Sequence, residues 1–106
     1  MKKIECIIRS EMLKGLKEAL RLAGVGGMTI TEVKGFGSEA TRPDAYLFLP
    51  KTKVEIYAAD EQVQELAAAV IDTCRTGELG DGKIIVSPMD ECIRIRTGQR
   101  GDEAIF

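Results

Sequence analysis

The chain has 106 residues, the size of one domain, and at this length about two-thirds of the unfolded chain's surface can be buried. With 44% apolar and 30% charged residues it carries enough material for a core and enough charge for solubility, which excludes a disordered chain. Fifteen Lys plus Arg against seventeen Asp plus Glu give a net charge of -2, so no whole-molecule field favours nucleic acid or anionic lipid and any anion site has to be local.

There is no His, and the three Cys (Cys6, Cys74 and Cys92) lie far apart with no CxxC pair. An imidazole base, a His-based triad and the usual His/Cys zinc sites are therefore excluded, and no metal site is expected. The odd number of Cys, and an opening Met1-Lys2-Lys3 followed by only five residues before Arg9, point to a reducing cytoplasm without a targeting segment. No run approaches membrane-spanning length. Each Cys falls on an apolar position of a strand or helix pattern, as a small buried hydrophobe would.

In chain order, residues 2 to 9 read as a strand, and residues 11 to 23 place Met12, Leu13, Leu16, Ala19, Leu20 and Ala23 at helical spacing. Ser10 is placed to cap that helix and Gly24 to end it. Met28 to Val33 alternates as a second strand. An irregular stretch follows, longer than a compact domain usually tolerates without a function. Lys53 to Ala58 alternates again, Asp60 offers an N-cap, and Val63, Leu66, Ala67, Val70, Ile71 and Cys74 line one side of a second helix closed by Gly77. Ile84 to Val86 and Cys92 to Arg96 supply more extended chain, read as one strand interrupted at Ser87-Pro88.

The plan is β-α-β twice over, with Lys3-Ile4-Glu5 opening one half and Lys53-Val54-Glu55 the other. It predicts an α+β, ferredoxin-like sandwich, a four-stranded antiparallel sheet with two helices on one face. Alternation turns Ile4, Cys6 and Ile8 to the helices. It leaves Glu5, Ile7 and Arg9 on the bare face with Thr29, Thr31, Lys53, Glu55, Tyr57, Arg94 and Arg96. Such a face suits a solvated sheet, a nucleic-acid platform or a subunit interface.

The densest chemical signal is Gly77-Glu78-Leu79-Gly80-Asp81-Gly82-Lys83. Glycines let backbone N–H groups crowd around an anion, and Lys83 adds a charge to that nest. The segment is not a P-loop, since Lys83 lacks a following Ser or Thr and precedes a strand. Taken alone, such glycines more often form a helix cap followed by a hairpin-like turn. Arg94 and Arg96, two apart in the predicted strand, would present two forks on one face about 7 Å apart, suited to a polyphosphate or to pairing with Glu5 or Glu55. Arg100 follows in a turn-like tail. Asp81, Asp90, Glu91, Asp102 and Glu103 lie in turns or the tail, where solvated acids are usual, so no catalytic residue is expected.

Four segments in order then resemble the PII signal-transduction family: residues 28 to 37 (MTITEVKGFG), Phe48-Leu49-Pro50-Lys51, Arg75-Thr76-Gly77 with Gly80-Asp81-Gly82-Lys83-Ile84, and Ile93-Arg94-Ile95-Arg96-Thr97-Gly98. The resemblance covers nearly the whole chain. It implies one domain over residues 1–106, a protruding T-loop at about 37–50, a flexible tail at about 98–106, and assembly as a cytoplasmic homotrimer. The bare face would then line the trimer, and ATP, ADP or AMP would bind between subunits. By the same resemblance Ile7, Thr29, Gly35, Glu55 and Tyr57 surround the adenosine, while Gly37, Gly80, Asp81, Gly82 and Lys83 lie at the phosphates. Arg94 and Arg96 reach across from the neighbouring subunit.

The resemblance further implies a sensor, not an enzyme. It would act on a target protein, a transporter or metabolic enzyme, in nitrogen or carbon metabolism, without binding nucleic acid or inserting in a membrane. The loop departs from the family: it is shorter, and Ser38-Glu39 replaces the usual Arg-Gln. Glu39 sets a carboxylate where a triphosphate and 2-oxoglutarate would meet, which disfavours that complex unless a cation intervenes. Lys51 stands where the family pairs 2-oxoglutarate with a lysine. By this resemblance the effector beside the nucleotide is 2-oxoglutarate, or bicarbonate as in divergent PII-like proteins of inorganic-carbon uptake or the carboxysome, or neither. Two other readings stand beside these: a slow ATPase on the same cradle, and an RNA-binding sheet face, against which the acidic balance and lack of paired sheet aromatics count.

Overall fold

The computed structural model describes residues 1–35 and 49–106. Strand β1 (Lys2–Ile8) leads through a 3-10 turn (Ser10–Met12) into helix α1 (Leu13–Leu22). Strands β2 (Thr29–Gly35) and β3 (Leu49–Ala58) follow, then a second 3-10 turn (Asp60–Gln62), helix α2 (Val63–Cys74), strand β4 (Lys83–Pro88) and a short helix α3 (Asp102–Ile105).

The four strands form one antiparallel sheet in the order β2-β3-β1-β4. This is the predicted sandwich, with the first strand of each β-α-β half at the centre and the last at the edge. The register Ile4↔Ile56, Cys6↔Val54 and Ile4↔Val86 puts every second residue toward the helices. Ile4, Cys6, Ile8, Val54, Ile56 and Ala58 are buried there against Leu16 and Leu20 of α1 and Leu66, Val70 and Cys74 of α2. On each helix these residues recur every four positions, so each presents one narrow stripe, and each large side chain buried this way contributes about 1.5–3 kcal/mol.

The opposite face carries Lys3, Glu5 and Ile7 of β1, Lys53, Glu55 and Tyr57 of β3, Thr29 and Thr31 of β2, and Lys83 and Ile85 of β4. It carries Glu5, Ile7, Thr29, Thr31, Lys53, Glu55 and Tyr57 of the predicted mixed face but not Arg9, which lies past the end of β1, nor Arg94 and Arg96, which lie outside the sheet; two of its lysines pair diagonally, Lys53 Nζ with Glu5 at 3.2 Å and Lys3 Nζ with Glu55 at 3.8 Å.

Three local expectations are corrected. Ser10 caps no helix: it opens the 3-10 turn, and its hydroxyl lies 2.9 Å from that of the fully buried Thr52. Asp60 is not the N-cap, because Gln62 Oε1 takes the Ala59 N–H and frees Asp60 to pair with the Met1 amine at 2.7 Å. Residues 92 to 96 do not prolong β4. Ile93 forms a single bridge to Arg100 around a turn in which Arg94 N–H donates to Gln99 O (2.9 Å) and Gly98 N–H to Arg94 O (2.7 Å). Gly98, at φ +72°, permits that reversal. Arg94 and Arg96 therefore do not present two forks from one strand face, and residues 98 to 106 fold back toward β3 and end in α3.

Candidate functional site

The glycine segment is a built loop. Gly77, Gly80 and Gly82 all have φ between +87° and +100°, which L side chains rarely adopt. Asp81 organises it from within: its carboxylate accepts the Thr76 N–H (2.8 Å), the Gly77 N–H (2.9 Å) and the Thr76 hydroxyl. These bonds, the Thr76 hydroxyl first, hold the Asp81 carboxyl down at about 2. The Thr76 hydroxyl in turn accepts the Glu78 N–H at 3.1 Å. Asp81 thus acts on the loop, and the amides of residues 76 to 78 are spent inside it.

From outside, two cations hold the loop's carbonyls. Arg9, just past β1, donates through Nη2 to Leu79 O at 2.6 Å and lies 3.5 Å from Asp81 Oδ1 through Nε. Lys51, only 8% exposed, donates to Gly80 O at 2.9 Å. Both come from one end of the central strands. Peptide planarity has a direct consequence: with the Leu79 and Gly80 carbonyls turned inward to Arg9 and Lys51, the N–H groups of Gly80 and Asp81 in the same trans peptides point the other way. Outward N–H groups beside Lys83 are what an oxyanion requires.

The remaining predicted residues fall into two groups. Ile7 lies across from Lys83 in the register, and Gly35 finishes the far edge strand β2 level with the start of β3, so Ile7, Gly35, Lys51 and Gly80 to Lys83 lie toward one end of the strands. Thr29, Glu55 and Tyr57 lie toward the other. Thr29 pairs with Glu55, Tyr57 pairs with Lys3, and Thr29 and Tyr57 help line a recess of about 220 Å³ with Met28, Gln62 and Phe106. The Tyr57 hydroxyl donates to Glu55 Oε2 at 3.0 Å, which raises its pKa.

The Arg94 turn belongs to this second end, since β4 leaves the sheet beside Lys2 and the backbone of Met89 binds that of Met1. Arg94 Nη1 donates to Gln99 Oε1 at 2.7 Å, and Arg96 lies in the turn. From Lys51 to Tyr57 the strand runs about 20 Å at 3.3 Å per residue. The structure therefore does not bring all twelve residues together within one chain. Gly37 and Glu39 lie outside the described residues.

Arg9 was placed on the open face by alternation alone, and its role in the loop escaped the sequence, because its partner is seventy residues away. Thr76 was missed for a different reason. The Thr76-Gly77…Asp81 spacing is a signal for a side-chain-bridged turn. Among the described residues no cluster of His, Cys, Asp or Glu could hold a metal ion, and no helix is long and apolar enough to cross a membrane.

Comparison with known proteins gives this loop a context. Residues 1–99 match the family described as Nitrogen regulatory protein P-II. A Nitrogen regulatory protein P-II of Cereibacter sphaeroides is 48% identical over 99% of this chain and all of its own length, and one from Nostoc punctiforme is 46% identical with the same coverage. The alignments run over 112 positions, more than this chain's 106 residues, so it lacks several residues its relatives have. Among solved structures, Arabidopsis thaliana PII bound to citrate superimposes with a TM-score of 0.84 at 38% identity, over 98% of this chain and 88% of that one. By sequence along its whole length and by fold, the chain belongs to the P-II family of nitrogen regulatory signal-transduction proteins.

Proposed function

We propose that this chain is an adenine-nucleotide sensor that assembles as a homotrimer, binds ATP, ADP or AMP between subunits, and regulates a target protein through residues 37 to 50. The observation that carries the reading is the division of the candidate residues between two ends of the sheet. The outward amides of Gly80 and Asp81 with Lys83 suit a phosphate chain, whereas Thr29, Glu55, Tyr57 and Arg94 lie toward the other end, Tyr57 about 13 Å further along the strands than Lys83 at 3.3 Å per residue. On this reading a nucleotide meets both sets by lying between two copies, the first end of one against the second end of the next. The mixed open face, apolar at Ile7, Ile85 and Tyr57 and internally ion-paired, suits burial against copies of itself.

The same reading makes the protein a regulator without catalytic turnover: the chain has no His to serve as an imidazole base, and Asp81 is held ionised by the turn it organises. The relatives' family name supports a role in nitrogen metabolism. Effector binding beside the nucleotide, by 2-oxoglutarate or bicarbonate near Lys51 and Glu39, is the finer part of the proposal. The citrate held by the Arabidopsis relative makes small carboxylates worth testing.

Calorimetric titration with ATP, ADP and AMP, repeated with 2-oxoglutarate and with bicarbonate, tests the reading. Binding of at least one adenylate is expected, and a co-effector reveals itself by changing that affinity. Absence of binding by all three nucleotides overturns the sensor. Steady phosphate release from ATP at ordinary enzyme rates would make it an ATPase instead.

A further inference from the structure

The loop's peptide orientation depends on a residue that the phosphate reading does not itself require. We propose that Arg9 is a positioning residue for the glycine loop, setting the direction of its outward N–H groups and so its affinity for a phosphate chain, without itself contacting the ligand. The inference rests on the nucleotide reading for its ligand but on the loop geometry for its substance.

Three observations converge on Arg9. Its Nη2 holds Leu79 O at 2.6 Å, and that carbonyl shares a peptide plane with the Gly80 N–H. Its Nε faces Asp81 Oδ1 at 3.5 Å, so one guanidinium touches both the carbonyl that must point inward and the carboxylate that ties the loop to Thr76 and Gly77. A Cβ on Gly80 would meet Arg9 Nη2, Nη1 and Cζ at 3.2–3.4 Å, so the loop lies directly on the guanidinium plane. A planar fork reaches two acceptors at once, and a lysine ammonium on a flexible stem does not reproduce that geometry. Lys51 holds the next carbonyl, Gly80 O, whereas Arg9 couples a carbonyl to Asp81.

The test uses Arg9→Lys and Arg9→Met in the full chain, with thermal unfolding of each variant as the control for folding. In ligand-free protein, amide NMR should show the Gly80 and Asp81 resonances displaced in both variants, with hydrogen exchange in the loop faster than in wild type. In titrations, affinity for ATP and ADP should fall about tenfold in both variants, the size of one charge-assisted hydrogen bond, while adenosine binding stays unchanged.

Unshifted loop amides, together with ATP affinity kept by Arg9→Lys and lost by Arg9→Met, would instead make Arg9 a direct phosphate ligand and overturn the proposal. An equal loss for adenosine would overturn it too. Should wild type bind no nucleotide, the sensor reading fails by itself, and the amide spectra still decide whether Arg9 sets the loop.

Discussion

Gly82 passes so close beneath Ile7 that a Cβ placed on it would lie 1.7 Å from the Ile7 carbonyl oxygen and 2.8 Å from its carbonyl carbon. Neither atom can yield, because Ile7 lies in the central strand β1, paired on both sides. Gly82→Ala combines that overlap with a φ of +100° and should cost about 3 kcal/mol, or expel the loop from the sheet. Gly77→Ala is the matched control: its φ is +87°, but nothing lies within 4 Å of its Cβ, so about 1–2 kcal/mol is expected. Urea unfolding of the two variants checks the difference, and equal losses would contradict the close approach.

The Asp81 carboxyl falls from 3.8 to about 2 in the folded loop. A group whose folded pKa is depressed stabilises the fold above its unfolded pKa and loses that contribution as pH falls through the folded one. The loop should therefore be intact above about pH 4 and loosen toward pH 2. Amide shifts of Thr76 and Gly77 followed through acid should report that midpoint, and in Asp81→Asn their titration should vanish.

Burial pushes the Cys6 thiol up to about 11, with Cys74 and Glu5 adding to the shift, and burial raises Cys74 as well. Because the thiolate is the reactive form, both should be inert in folded protein at pH 8. Cys92 is only partly buried. A thiol reagent should label Cys92 first and reach Cys6 and Cys74 only on unfolding; fast labelling of all three would contradict the packed core.

Lys83 and Arg94 lie at opposite ends of the sheet, which makes them informative together. Each of Lys83→Ala and Arg94→Ala should weaken nucleotide binding about tenfold, leaving the core intact. Refolding the two variants as a mixture should regenerate some wild-type-affinity sites, because a Lys83 from one copy can then face an Arg94 from another. A mixture no better than its components would place both residues in separate functions.

The sheet and its core were legible because Ile4 to Ile8 and Thr52 to Ala58 bury every second residue and α1 and α2 repeat every four residues; Ile4, Cys6, Ile8, Leu16 and Leu66 are buried as that periodicity demands. The glycine loop was legible as a place, since Gly80, Asp81 and Gly82 cluster locally. How it is held was not, because Arg9 and Lys51 reach it from strands distant in sequence. The 92 to 96 segment misled because Ile93 and Ile95 alternate like a strand. The Gln99 side chain, which takes both Arg94 Nη1 and the Thr97 hydroxyl, closes a turn that apolar spacing cannot reveal.

The diagonal pairs Lys53–Glu5 and Lys3–Glu55 cancel the charges at the middle of the open face, leaving Lys83 at its end. A surface whose centre cancels its own charges meets an identical one there with little repulsion, and needs matching contours to do so. Moderate salt should accordingly leave self-association largely untouched while still weakening the grip on any anion bound at its margins.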